Sequence, residues 1–120
     1  MKSKWIEHNG KKIFYQDFSS NFFNEKAVTE ELAAVQEIVL SEPENSVLVI
    51  SDFSNTEITS SLMPILNAAS SKTKAHVRKT AVIGITGIKR TLGDLLTRIT
   101  GQPLMYFNNV TDAKEWLSQE

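Results

Sequence analysis

The sequence predicts an α/β domain in which a β-hairpin is followed by βα repeats. Residues 46–51 and 80–85 are short, largely apolar runs without polar alternation, so a strand at either place must be covered on both faces. Segments with apolar residues at helical spacing lie between and after them. Strands alternating with helices favour right-handed crossovers, and hence a mostly parallel, mixed sheet with the hairpin at an antiparallel edge.

The hairpin is predicted from two strand candidates, residues 5–8 and 11–18, which flank Asn9 and Gly10. This dipeptide favours a type I′ turn because both of its positions accept a positive φ. We expect His8 to lie at the exposed end of the hairpin.

The first helix is predicted to be capped by Thr29 and to stop before Pro43. We expect Phe22 and Phe23, which precede it, to pack under this helix. Its buried face is predicted from apolar residues at spacings of three and four: Leu32, Val35, Ile38 and Val39.

The second helix is predicted to have Ser60 or Ser61 as its N-cap, because Pro64 is tolerated only in the first helical turn. Its apolar stripe comprises Leu62, Ile65, Leu66 and Ala69. A third helix follows Gly87 and stops near Gly101; its stripe comprises Ile88, Leu92, Leu95 and Ile99.

The chain is predicted to end with a short strand at residues 104–107 and a helix capped by Thr111. We expect Ala113, Trp116 and Leu117 to dock this helix on the sheet. The whole chain, residues 1–120, is therefore expected to form a single domain with about four helices.

Composition excludes several function classes. The chain has 120 residues, which suits one domain, and its net charge of −1 argues against a nucleic-acid binder that neutralises many phosphates. Cysteine is absent, which excludes disulfides and thiolate nucleophiles, and the two histidines have no second ligand at metal spacing. We therefore expect no metal and no cofactor. Neither a signal-peptide pattern nor a membrane-spanning run is found, which favours a cytoplasmic protein.

A candidate site lies where the first apolar strand ends, because ligands of open α/β sheets collect outside the carboxyl ends of the strands. The chain there forms an elbow, residues 52–61, that leads into a helix N-terminus. Turns and helix caps alone would also explain these polar residues. The candidate binding residues for a protein partner or a small ligand are Asp52, Phe53, Ser54, Asn55 and Thr59.

The turn after the second apolar strand is expected at the same sheet edge, and it adds Thr86, Gly87 and Lys89 to the candidate site. The glycine could let a ligand approach the backbone, although the spacing is not that of a P-loop. Lys89 would oppose the helix dipole, which favours an acidic partner. A solvated helix face is the alternative.

Two further features of the sequence permit other interpretations of the function. A basic run could contact phosphates or anionic lipid head groups, or could simply end a helix; it comprises Lys72, Lys74, His76, Arg78 and Lys79. Asp17 and Asp52 both end strands and are followed by Phe-Ser, so a helical crossover would place them on the same sheet edge. Paired acids could serve a small hydrolase, yet the elbow serines lack a Gly-x-Ser-x-Gly context, and we predict that the protein is not an enzyme.

The chain also resembles the SpoIIAA-like, or STAS, superfamily, in particular its stand-alone bacterial members of uncharacterised role. The likeness covers nearly the whole chain and rests on three pieces: the elbow from Asp52 to Leu62, the strand RKTAVIG at 78–84 followed by Gly87, and the ending Phe107 with DAKEWL at 112–117. It implies a four- to five-stranded, mainly parallel sheet and a non-enzymatic role.

Anti-sigma factor antagonists of this superfamily carry a phosphorylatable serine at the elbow, preceded by aspartate. The matching place here reads Thr59-Ser60-Ser61, without that aspartate, so Ser60 and Ser61 are the candidate phosphorylation sites. Other members are suspected of binding apolar ligands. The prediction is thus a non-catalytic binding or regulatory domain, with a phospho-switch, lipid binding and a homodimer left open.

Overall fold

The computed structural model describes residues 1–85 and 103–119. Within these ranges the chain forms five strands and three helices. The strands are β1 (Lys4–His8), β2 (Lys11–Asp17), β3 (Val47–Asp52), β4 (Val77–Ile83) and β5 (Leu104–Phe107). The helices are α1 (Glu25–Leu40), α2 (Leu62–Thr73) and α3 (Val110–Ser118). The predicted helix with Ile88, Leu92, Leu95 and Ile99 lies outside the described residues.

The five described strands form one sheet whose spatial order follows the chain order, β1-β2-β3-β4-β5. β1 and β2 are antiparallel, and every later neighbouring pair is parallel. The hairpin turn has positive φ at both central residues, 52° at Asn9 and 76° at Gly10. The predicted α/β class and the antiparallel hairpin edge are therefore confirmed.

The sheet is covered on both faces, which explains why its central strands lack polar alternation. Ile13 and Phe14 are consecutive and both 0 % exposed, yet they belong to different hydrophobic clusters. One cluster includes Val28, Val35 and Val39 of α1 with Leu62 and Leu66 of α2. The other includes Ala113 and Leu117 of α3, with Trp116 packed against it.

Both predicted threonine caps are wrong, because an asparagine lies upstream of each threonine and starts the helix earlier. Asn24 Oδ1 accepts the backbone N–H of Ala27 at 3.2 Å, so α1 begins four residues before Thr29. Asn109 Oδ1 accepts the backbone N–H of Asp112 at 2.8 Å, so α3 begins before Thr111. Asparagine is as good an N-cap as threonine or better.

Strand boundaries and one buried face also differ from the predictions. β3 is shifted by one residue, and β4 starts at Val77, three residues before the predicted strand at 80–85. Ile65 is 43 % exposed, although it was predicted to lie in the buried stripe of α2. The buried residues of α2 are Leu62, Leu66 and Ala69.

Phe22 and Phe23 do not pack under α1, as was predicted. They are 63 % and 74 % exposed. The backbone gives the reason: Phe22 has a φ of 50° and pairs with the elbow, donating to the Asn55 carbonyl at 2.9 Å and accepting from the Glu57 N–H at 2.7 Å. The chain thus runs along the elbow rather than beneath the helix.

No helix within residues 1–85 and 103–119 is both long enough and apolar enough to cross a membrane.

The N-terminal segment is tied to α1 by the carboxylate of Glu31. This group accepts the backbone N–H groups of Lys2 and Ser3, at 3.1 and 2.8 Å, and the Ser3 hydroxyl at 2.5 Å. The Ser3 hydroxyl also accepts the backbone N–H of Asp17 at 2.9 Å. Ser3 therefore joins the helix to the end of β2, which explains why this polar residue is buried.

Partial burial raises the pKa of Glu31, but the hydrogen bonds from Ser3 and Lys2 and the nearby α-amino group outweigh it, so the net shift is downward. Because the pKa is lower in the folded protein, the stabilisation is complete above the pKa of the unfolded chain. It is lost as the pH falls through the folded value.

We therefore expect Glu31→Gln to lower the free energy of unfolding at neutral pH by about 1 kcal/mol, because an amide keeps only part of these bonds. From about pH 5 to about pH 3 the variant should lose less stability than the wild type. Urea denaturation across this range measures both effects, with Glu30→Gln as the control on the exposed side of α1. Parallel pH profiles for wild type and Glu31→Gln would contradict the assignment.

Candidate functional site

The candidate site is built at the carboxyl ends of β2 and β3. Asp17 and Asp52 are neighbours in the parallel register, so the expectation that they share a sheet edge is confirmed. Beyond the strands the two chain segments stay paired, and we call residues 18–23 and 53–57 the paired loops. Three backbone N–H groups of the first loop donate across: Phe18 to Asp52 O at 2.9 Å, Ser20 to Ser54 O at 2.7 Å, and Phe22 to Asn55 O at 2.9 Å.

Thr56 is buried between the paired loops and connects them by hydrogen bonds. Its side chain is only 1 % exposed. Its hydroxyl donates to the Phe18 carbonyl at 2.5 Å and accepts the backbone N–H of Asn21 at 3.0 Å. A buried hydroxyl that makes both bonds satisfies two backbone groups that have no strand partner.

Both oxygens of the Asp52 carboxylate accept hydrogen bonds from nearby residues. One oxygen accepts the backbone N–H of Ser54 at 2.9 Å, which forms an Asx turn, and the other accepts the hydroxyl of Tyr15. Burial and this hydrogen bond raise the pKa of Tyr15 far above its ordinary value, so the hydroxyl keeps its proton throughout the neutral range. Tyr15 thereby fixes the carboxylate at the end of β3.

Asp17 makes a similar turn. Its Oδ1 accepts the backbone N–H of Ser19 at 3.0 Å and the Ser19 hydroxyl at 2.5 Å, and the Lys2 ammonium lies 3.7 Å away. Both aspartates therefore form turns at the ends of their strands.

The other residues of the elbow divide between core and surface. Phe53 is 6 % exposed and stacks on Phe18, with ring centroids 5.1 Å apart. Ser54 is half-buried, whereas Asn55 is exposed and has a φ of 58°. Among the predicted site residues from 52 to 55, Asn55 offers the most accessible side chain.

Glu25 of α1 organises the end of the elbow. Its Oε1 accepts the hydroxyls of Thr59 at 2.8 Å and Ser61 at 2.6 Å. The bonds from Ser61 and then Thr59 lower the pKa of Glu25, so its carboxylate stays charged. Thr59 Oγ1 also accepts the Leu62 N–H at 3.2 Å and thus provides the side-chain cap of α2. Ser61 occupies the predicted N-cap position without making the cap bond, while Ser60 is exposed.

Gly84 holds the end of β4 against the elbow. Its φ is +84°, and a Cβ at this position would lie 2.4 Å from the backbone nitrogen of Ser54. Phe53 N–H also donates to the Ile83 carbonyl at 2.9 Å. The close approach that a glycine allows here is therefore made by the protein's own backbone. The remaining candidate residues, Thr86, Gly87 and Lys89, lie outside the described residues.

Four residues that shape this site were not predicted from the sequence as part of it: Tyr15, Glu25, Phe22 and Phe23. Tyr15 and Glu25 are distant from the elbow in sequence, and only the sheet register and the packing of α1 bring them there. For Phe22 and Phe23 a signal exists: consecutive aromatics between a strand-ending turn and an Asn cap belong to no periodic face.

A cavity of about 110 Å³ lies behind the elbow, between the sheet and the helices α1 and α2. Its lining is mainly apolar and includes Phe53, Ile58, Leu66, Ala69, Val82 and Tyr106.

Among residues 1–85 and 103–119, no three His, Cys, Asp or Glu side chains come together as metal ligands. Comparisons of the chain with family models, curated proteins and solved structures gave no match.

We expect Gly84→Ala to lower the free energy of unfolding by about 3 kcal/mol, because the methyl group clashes with Ser54 and the backbone conformation is strained. The matched control is Gly10→Ala, at a φ of +76° with no heavy atom within 4 Å of the new Cβ. There only the strain of about 1 kcal/mol applies. Urea denaturation compares the two variants, and equal losses would contradict the close approach at Gly84.

Proposed function

We propose that this protein is a non-catalytic binding domain that docks another protein through its aromatic surface, defined as Phe22, Phe23 and the adjoining Asn55. The observation that carries the proposal is the exposure of the two phenylalanine rings, at 63 % and 74 %. Exposed aromatic side chains are frequent binding hot spots, because each ring buries a large area in a partner pocket.

The two rings are carried by a backbone segment that is hydrogen-bonded to the elbow and to the start of α1. Phe22 is bonded to Asn55 and Glu57 on the elbow, and Phe23 accepts the backbone N–H of Glu25 at 3.0 Å, where α1 begins. A rigid anchor loses little conformational entropy on binding, so more of the burial energy is available for affinity.

The acidic residue that follows the rings indicates the chemistry of the partner. Glu25 begins α1, and its backbone N–H donates to the Phe23 carbonyl. The lowered pKa of Glu25 keeps its carboxylate ionised. The complementary partner is therefore a protein with an apolar pocket and basic residues at the rim of that pocket.

The SpoIIAA-like resemblance supports the same class of function, since it implies a non-enzymatic role with contacts at the elbow. The mixed sheet, in which β2 to β5 are parallel and in chain order, is the kind of α/β architecture that the resemblance implies. Its phospho-switch is the regulatory version of the proposal. A phosphate on Ser61 would face the Glu25 carboxylate, which now accepts the Ser61 hydroxyl, and the repulsion would disturb the start of α1 beside Phe23.

The decisive variant replaces both rings, as Phe22→Asn with Phe23→Ser, where asparagine tolerates the positive φ of residue 22. Because the rings are exposed, the free energy of unfolding should change by no more than about 0.5 kcal/mol. Affinity for the partner should fall at least about 30-fold, the effect of losing a hot spot.

The partner is first identified by a photo-reactive amino acid placed at Asn55 in the protein's own cells, and the purified pair is then measured by calorimetry. Leu40→Ser is the control, since Leu40 is 44 % exposed and lies at the far end of α1. Equal affinity of the double variant and the wild type would contradict the proposal. So would ultracentrifugation showing that the aromatic surface joins two copies of this chain.

A small apolar ligand in the cavity is the second candidate function. The volume of about 110 Å³ is below the range of about 300–1,000 Å³ that drug-sized ligands need. The volume is of the same order as that of engineered apolar cavities of about 150 Å³, which bind benzene, so benzene is a suitable probe. The described lining therefore favours a small apolar molecule over a lipid chain.

We expect benzene to raise the Tm of the wild type and to leave the Tm of Ala69→Leu unchanged, because the larger side chain fills the cavity beside α2. Differential scanning calorimetry with and without benzene measures the shift. Cooperative unfolding of Ala69→Leu is the control for its fold. A wild-type Tm that benzene does not raise would rule out this second function.

A further inference from the structure

A second concave site lies at the other end of the strands, away from the aromatic surface. It is a notch of about 230 Å³ beside the amino ends of β2, β3 and β4 and the carboxyl end of α3. We call it the basic notch, because four of the residues that line it are cations: Lys11, Lys12, Arg78 and Lys79. No Asp or Glu is found among its described lining residues.

A β-bulge brings two consecutive cations to this notch. Val47 pairs with Val77, and the next pair is Leu48 with Lys79, so Arg78 has no partner on β3. In a regular strand successive side chains point to opposite faces. The bulge breaks that alternation, and Arg78 and Lys79 line the same concavity.

Lys79 is held in place by the end of α3. Its ammonium donates to the carbonyls of Trp116 at 3.3 Å and Gln119 at 2.9 Å, and it lies 5.1 Å from the centre of the Trp116 ring. These partners are neutral, so they orient the ammonium and leave its positive charge in the notch.

Lys12 and Arg78 differ in the groups that surround them. Lys12 lies 3.5 Å from the Glu42 carboxylate and over the ring of Trp5. Arg78 is exposed and carries a planar guanidinium, the group that binds phosphate oxygens in a bidentate manner. Arg78 and Lys79 are therefore the two cations that we assign to an anion in the notch.

We propose that the basic notch binds a phosphate or diphosphate group, with Arg78 as the bidentate ligand and Lys79 as a fixed point charge. Its volume is below that of sites for drug-sized ligands, about 300–1,000 Å³, and suits a phosphate or diphosphate group. The site shares no residue with the aromatic surface, so its test is independent of the proposed protein partner.

Inorganic pyrophosphate is the probe, and backbone amide chemical shifts of ¹⁵N-labelled protein report its binding. In the wild type the amides of Arg78, Lys79 and Lys11 should shift with saturation. Arg78→Ala should weaken binding about tenfold, and Arg78→Lys less, because lysine keeps the charge and loses the bidentate geometry.

Lys72→Ala is the matched control. Lys72 belongs to the same basic run of the sequence, is exposed in the last turn of α2, and does not line the notch. Its affinity for pyrophosphate should equal that of the wild type. If Lys72→Ala and Arg78→Ala weaken binding equally, the effect is general charge attraction and the proposal fails.

The phosphate could belong to a soluble molecule or to a lipid head group, and vesicles separate the two. Arg78-dependent binding of pyrophosphate without sedimentation on phosphatidylglycerol vesicles assigns a soluble ligand. Arg78-dependent sedimentation on those vesicles, and not on phosphatidylcholine vesicles, assigns a head group. Failure to bind either probe, with the fold intact by its amide spectrum, overturns the proposal.

Discussion

The structure depends on the burial of β3 between two layers. Val47, Leu48, Val49 and Ile50 are all at most 6 % exposed, and alternate members contact α1 and α2 on one face and α3 on the other. Because a strand covered on both faces offers no side-chain surface to a ligand, only its two ends are accessible. The aromatic surface lies at the carboxyl end of β3, and the basic notch lies at its amino end.

Several polar side chains of the elbow make their hydrogen bonds inside the protein. The side chain of Asp52 forms an Asx turn, that of Thr56 bonds the two loops to each other, and that of Thr59 caps α2. Such internal bonds hold the neighbouring phenylalanines in place while their rings stay in solvent. Turns, a bond between loops and a helix cap thus explain much of the polar density of the elbow.

The predictions succeeded where local pattern or chain order decides the structure. β5 has the predicted boundaries at residues 104–107, the Asn-Gly hairpin is present, and Asp17 pairs with Asp52 as the parallel crossover requires. These features follow from a turn type, a run of apolar residues and the handedness of βα units.

The predictions failed where tertiary contacts decide. The exposure of Phe22 depends on backbone pairing with residues over thirty positions away, and the bulge at Arg78 depends on the register against β3. Neither leaves a periodic signal in the sequence, because both are properties of two segments together. The helix caps failed for a simpler reason: several Asn and Thr residues compete as caps, and their intrinsic preferences are similar.

The length of β3 also sets the distance over which charges at its two ends interact. The six residues of β3 hold its two ends about 20 Å apart, at a rise of about 3.3 Å per residue. This is about two Debye lengths at an ionic strength of 0.1 M, so the two ends do not sense each other's charge there. As the salt concentration falls to about 0.01 M, the Debye length reaches about 30 Å, and an anion bound in the basic notch would then be felt at the carboxyl end of the strand.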